Sequence, residues 1–462
     1  MNAYARKWLA VVACVAAPVV ALAQEAPPPA PDLRDEANAT TPLPPPDFTR
    51  PPSLPRLRPL PVLPAVPRPP ALRRNDPPLA DARLTGSVAT TTQPSARRDP
   101  FAPVGLRAGG GRLFPAIGAD VIFTDNLDKT AGGRVMAFGA RLTPRLRYES
   151  RWSRHRLEVT AAGEIISWLT GGAPPRLEAT ANIDARLRLD VRRDTRLEVT
   201  TGYELGREET GAQRARHDLS GDVLLSHRFG RLRASVGGGA DGRFLAPAAG
   251  SYNDDYVAPN ARLRLSYGIG WRLRPYVEAA ADMRRYIVAT DSSGRLRHSI
   301  GISGEAGVEI AGDGIFSGRL GVKYTHRFYA DPATPAAGGV GVVGEIVWRP
   351  TRRTRVSLSA GFDLGESTVS GASAEREQSV ELALRHGIGA RLVLTGGVGL
   401  THTQYLGLAR RDLTYAASAA AQWQFSRRFG LTAGWELNWR DSSVNANDYL
   451  ENRLTLGLQF RM

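Results

Sequence analysis

From Leu177 to Val191 the chain alternates without a break. Leu177, Ala179, Ala181, Ile183, Ala185, Leu187, Leu189 and Val191 are apolar, and Glu178, Thr180, Asn182, Asp184, Arg186, Arg188 and Asp190 stand between them. Successive side chains of a strand point to opposite faces, so this spacing predicts a strand with one apolar and one polar face. A helix would need apolar positions about 3.6 residues apart, and they are absent. The same alternation runs through Met136–Tyr148, Phe316–Phe328 and Leu413–Phe425, and it ends the chain at Leu454, Leu456, Leu458 and Phe460.

About eighteen such segments are predicted, each roughly ten to fifteen residues long, enough for a tilted strand to cross a bilayer. They begin near residues 113, 135, 156, 177, 196, 217, 232, 256, 272, 295, 315, 340, 354, 376, 391, 411, 429 and 449. Short links separate some of them, at Arg192–Thr195, Gly230-Arg231, Gly268–Gly270, Gly312–Gly314, Thr351–Arg353, Gly387–Gly389 and Ser426–Arg428. Longer polar loops fall between the short links, over 124–134, 206–216, 245–255, 286–294, 329–338, 365–375 and 440–448. Short turns on one side and long loops on the other are the two sides of an outer-membrane barrel, and an even strand count puts both termini at the short-turn side.

A soluble sandwich would alternate too, but it has no need of two-sided loop asymmetry. Aromatic residues favour the membrane reading. Tyr148, Phe229, Tyr267, Trp271, Trp348, Phe425 and Phe429 gather at the short-turn ends, and Phe123, Tyr203, Tyr324, Phe328, Phe362 and Trp439 near the long-loop ends. They read as two interfacial girdles facing outer-membrane lipid. An edge cannot be left unpaired in hydrocarbon, so the sheet must close. The predicted fold is all-β, a transmembrane antiparallel up-and-down barrel.

The N-terminal quarter is different. Arg6 and Lys7 precede an apolar run from Trp8 to Val20, and Ala21-Leu22-Ala23 precedes Gln24, which is the plan of a cleavable secretory signal. Val11-Val12-Ala13-Cys14 also fits a lipoprotein cleavage site, but cleavage there leaves an apolar region of about six residues, short of the usual length. About two-thirds of the 33 prolines precede residue 104. Proline fixes φ and lacks a donor, so residues 24–103 are expected to form a disordered Pro-rich leader with polyproline II character, lying in the periplasm. The predicted organisation is a signal peptide at 1–23, this leader at 24–103 and the barrel at 104–462.

Cys14 is the one cysteine, so the mature chain needs no disulfide framework and has no thiolate metal site. The net charge is +15 and lysine occurs only at 7, 129 and 323. The arginines are interleaved with Asp and Glu along the strands rather than gathered in a patch, so nucleic acid is not an expected partner. No Ser, His and acid set sits in a recognisable motif. No enzyme, cofactor or metal is expected. His227, His298, His326, His386 and His402 fall on the apolar register near strand ends and read as interfacial. Gly237-x-Gly239-x-x-Gly242 spells a dinucleotide fingerprint, but it lies in an alternating strand with no helix after it.

A barrel of this size is wide enough for an aqueous channel unless something fills it. The expected lumen lining is Arg145, Arg147, Arg186, Arg188, Arg262, Arg264, Arg272, Arg274, Arg319 and Lys323, with Glu178, Asp184, Glu278 and Glu305 among the acids. Two readings stay open. The charges form a mutually paired wall, or the arginines near the short turns make a basic mouth that concentrates an anionic solute or polymer.

Arg98-Asp99-Pro100-Phe101, Arg107-Ala108-Gly109, Leu113-Phe114-Pro115 and Asp125-Asn126-Leu127 together resemble the opening of the putative β-barrel porin 2 proteins of proteobacteria. In that family an Arg-Ala-Gly step precedes the first strand and an Asp-Asn pair sits at its outer end. The last strand resembles the one that the outer-membrane barrel assembly machinery recognises, with Arg461 and Met462 after the aromatic Phe460. Relatives occur beside exopolysaccharide genes, so the resemblance implies a channel for exopolysaccharide or other anionic solutes. A general diffusion porin and a non-conducting structural barrel, with the leader as a candidate plug, are the alternatives.

Overall fold

The computed structural model describes residues 103–462 apart from 170–175, 208–213, 247–253, 271, 291–293, 311–313, 366–371 and 373. The signal and the Pro-rich leader, like the turn at Gly312-Asp313, lie outside the described residues. Eighteen antiparallel strands form the wall, running from β2 (Gly111–Thr124) to β19 (Tyr449–Arg461). Each pairs with the next in sequence, and β19 returns to β2 in a register from Arg453↔Thr124 to Arg461↔Ala116, so the sheet is closed. Closure removes the open edges that hydrocarbon does not tolerate.

The strand starts read from periodicity lie within a few residues of the observed ones, for example Arg176 for β5 (Arg176–Arg192), Thr354 for β14 (Thr354–Gly365) and Arg411 for β17 (Arg411–Gln424). One short link is displaced. Gly387 and Ile388 still pair with Val393 and Leu392, so β15 (Ala374–Ile388) runs two residues further before it turns. One strand escapes periodicity altogether. β1 (Leu106–Ala108) turns through Gly109, at φ 52°, onto Gly111–Leu113 of β2. It lies along the edge of β2 just past the point where β19 ends, with Met462 donating to the Pro115 carbonyl at 3.0 Å. The Arg107-Ala108-Gly109 step is therefore a small hairpin that tucks the incoming chain against β2, beyond the end of the closing strand.

The outer face is apolar, as expected. Val121 is 63% exposed, and Leu142, Leu320, Val322, Val398 and Leu456 are likewise uncovered on the outside of their strands. Aromatics border this belt. Phe316 stacks on Trp348 and Phe425 on Phe429 near the short turns, and Phe123 meets Phe138 and Tyr415 meets Trp439 near the long loops. His227 and His386 sit among the outward residues at short-turn ends, held by Thr195 and Thr354. Phe362 is a correction: it belongs to no girdle and is 5% exposed, inside the barrel.

That position follows from a fork in the wall. β12 (Phe316–Tyr329) and β13 (Ala337–Trp348) pair over their whole length, but β13 and β14 pair only from Gly344↔Ala360 to Trp348↔Val356. Gly344, the last paired residue, has φ +146°, which residues bearing a Cβ rarely adopt. Above it, β14 and β15 stay paired with each other up to Gly365↔Glu375. β15 stays in the wall, paired with β16 (Leu392–Leu406) over its whole length, and the upper end of β14 laps behind β13 against its inner face. A Cβ at Gly341 would lie 2.2 Å from the Phe362 ring, and one at Gly339 would lie 2.9 Å from it. Leu364 joins Ala337 and Ala374 in a buried cluster there.

Candidate functional site: the inner wall of the barrel

The inner face is fixed by the same period of two. Once Arg186 faces inward, its register partners Thr200 and Glu158 do too, and the relation passes from strand to strand. It places Arg145, Arg147, Arg186, Arg188, Arg262, Arg264, Arg274, Arg319, Lys323, Glu178, Asp184, Glu278 and Glu305 on the enclosed side. Arg272 is the exception. β10 begins at Leu273, and Arg272 lies in the preceding turn with its guanidinium against Gly314, beyond the strand wall.

These residues are largely partnered with acids, some on other strands and some two residues along the same strand. Arg186 meets Glu198 at 3.0 Å, and Arg188 and Arg196 both reach Asp190 at 3.1 Å. Arg262 meets Asp222 at 2.5 Å, Arg264 meets Glu278 at 2.6 Å, and Arg274 meets Glu309 at 3.3 Å. Arg147 pairs with Glu149 at 3.0 Å while lying over the Phe114 ring. Glu178 accepts Arg176 at 3.1 Å, and Asp184 accepts the Asn182 amide at 3.0 Å. In the register, Arg319 stands between Glu309 and Glu345, and Lys323 stands opposite Glu305. Arg262, Glu278, Glu305 and Lys323 come together with Asp282 around one groove of about 210 Å³.

Tyr276 was not among the expected residues. Its hydroxyl donates to Glu305 at 2.5 Å and its ring lies 4.6 Å beneath the Arg264 guanidinium. It stands two residues before Glu278 on the inward register, a spacing that could have marked it.

The long-loop end of the inner face is not simply polar. Ile122, Ile166 and Trp168 turn inward and bury Leu127, carried in by the loop between β2 and the next strand, β3 (Ala137–Ser150). Apolar residues in the nominally polar phase near a strand end were the available signal for this infolding. Around that plug lies a buried polar network. Glu451 is 0% exposed and holds Arg453 at 2.6 Å, the Thr124 hydroxyl at 3.2 Å and Lys129 at 3.7 Å. Further round, Asp412 takes Arg410 at 2.5 Å and Ser442 at 2.6 Å. Burial works against the Arg410 charge, but its bonds to Asp412 and the neighbouring Tyr405 outweigh that and hold its pKa above the ordinary value.

Arginines thus occupy both ends of the lumen. At the long-loop end Arg243 meets Asp218 at 2.8 Å and Arg327 meets Asp282 at 2.5 Å. Such a wall is a wettable surface of fixed, mostly compensated charge. It can admit water and polar solutes and hold them by exchange of hydrogen bonds. Among the described residues no group of three or more His, Cys, Asp or Glu is placed to hold a metal.

The model of one protein family, described as Putative beta-barrel porin 2, matches residues 99–462. No curated protein matches the chain. Among solved structures, the copper transporter OprC is 11% identical, over 77% of this chain and 82% of its own, with a TM-score of 0.43. The outer membrane protein opdK from Pseudomonas aeruginosa is 11% identical, over 76% and 99%, with a TM-score of 0.41. The FrpB iron transporter from Neisseria meningitidis is 9% identical, over 75% and 82%, with a TM-score of 0.39.

Proposed function

This chain belongs to the putative beta-barrel porin 2 family, and on that premise we propose that it is an outer-membrane channel for hydrophilic solutes whose favoured cargo is anionic, an acidic exopolysaccharide included. In this reading the short turns face the periplasm, as they do in outer-membrane barrels generally. The signal at 1–23 and the leader at 24–103 then precede a barrel delivered by the assembly machinery through β19.

The observation that carries the anionic preference is the position of Arg186, Arg188, Arg196, Arg274 and Arg319 on the inward register in the short-turn half of the barrel. A cationic rim in a low-dielectric mouth focuses field and raises the local concentration of anions. A second reading, general diffusion, is favoured by the ion pairs that compensate much of that charge. Bilayer reversal potentials in a salt gradient separate the two. Anion preference supports the first and near-equal permeability supports the second. Loss of surface polymer on gene deletion would add the exopolysaccharide cargo, and an intact polymer layer would remove it.

A further inference from the structure

The fork between β13 and β14 carries an inference that rests on the channel reading and goes beyond it. Above the fork, Phe362 and Leu364 occupy what the period of two makes the lipid-facing phase of β14, yet both are buried. Gly341 and Gly339 of β13 provide the surface they cover, because only a residue without Cβ leaves room for the Phe362 ring there. The arm 361–365 of β14 therefore laps inside β13 as a second thickness of wall, and residues 374–379 of β15 carry that sheet on into β16, with which they stay paired.

The opposite face of this layer looks into the lumen. Asp363, between the two buried side chains, is exposed, and the register sets it directly across from Glu377. Like charges placed opposite each other on one sheet face are destabilising, so folding alone does not account for the pair. A strand end lapped inside its neighbour also narrows the free cross-section there, and lumen width together with lining charge sets what a pore passes.

We infer that this lapped seam, where the end of β14 lies inside β13, is the constriction of the channel, with Gly341 and Phe362 holding it in place and Asp363 and Glu377 lining its free face. It is the element that screens solutes by size, and its two carboxylates hold the anion preference below what the arginine rim alone would give.

Two variants of the mature chain in planar bilayers test this. In Gly341→Leu the new side chain takes the place of the Phe362 ring and displaces the layer, and conductance is expected to rise about twofold or more. Asp363→Asn with Glu377→Gln alters no packing and is expected to raise the anion-to-cation permeability ratio by about twofold. Should Gly341→Leu fail to fold, the carboxamide variant decides alone. A conducting wild type with both variants unchanged overturns the constriction and leaves the channel reading standing. Silence from all three overturns both. A silent wild type with a conducting Gly341→Leu overturns the open channel and supports the constriction.

Discussion

Asp125 and Asn452 join the first wall strand to the last. The Asp125 carboxylate accepts the Asn452 backbone N–H at 2.7 Å and its side-chain amide at 2.8 Å, and the Asp125 N–H donates to the Asn452 carbonyl at 3.1 Å. Asn126 adds a bond from its amide to the Leu450 carbonyl at 3.0 Å, and its carbonyl oxygen accepts the Thr130 N–H at 3.1 Å. β2 and β19 have no turn between them, so the seam depends on such contacts for its register. The Asp-Asn pair recognisable in the sequence is a closure device.

Asp125→Ala removes an anionic acceptor of two hydrogen bonds and is expected to cost roughly 1.5–3 kcal/mol of stability. Urea unfolding from detergent micelles measures it. A double-mutant cycle with Asn452→Ala should show strong coupling, and additive costs would mean that the pair does not act as a staple.

Glu451→Gln leaves Arg453 and Lys129 facing a neutral group in a buried site. Breaking one partner of a buried ion pair costs about 3–5 kcal/mol. Because the Arg453 guanidinium lies 5.9 Å from the Trp168 ring, the loosened plug should also let water reach that ring. A red shift of tryptophan emission, lost when Trp168 is replaced by Phe, is the expected signature.

Leu187 and Arg186 are chain neighbours on opposite faces. Leu187→Arg puts a charge into lipid near the midplane and is expected to cost about 2–4 kcal/mol. Arg186→Leu forfeits an ion pair to Glu198 whose guanidinium is half exposed, and should be tolerated far better. Folding titrations into lipid vesicles compare them, and equal costs would reverse the assigned facing.

Deleting residues 24–102 tests the leader. If it is a spacer, conductance is unchanged. If it plugs the barrel, the truncated form conducts where the full mature chain does not.

The sequence was most legible where local pattern and tertiary environment coincide. Leu177 to Val191 needs nothing beyond period two, because the lipid and the lumen each demand one phase of it. The same rule misreads Phe362 and Leu364. Their phase is the lipid-facing one, and only the glycines at 339 and 341, on a different strand, show that they cover protein. Trp168 and Ile122 are the converse, apolar residues in the lumenal phase that fold a loop inward. β1 is too short for any periodicity. Ion pairs two residues apart, such as Arg188 with Asp190, lie within the alternating pattern, but the cross-strand ones depend on inter-strand register, and Arg262 meets Asp222 across 40 residues of chain.

The most direct measurement of the central claim is spin-label accessibility at single cysteines placed along 178–188 of β5 in lipid vesicles, in a chain whose one native cysteine, Cys14, is replaced by serine. The account predicts that odd positions collide with oxygen dissolved in lipid and even positions with a water-soluble relaxant, in strict opposition. A period near 3.6, or equal water access on both faces, would contradict it.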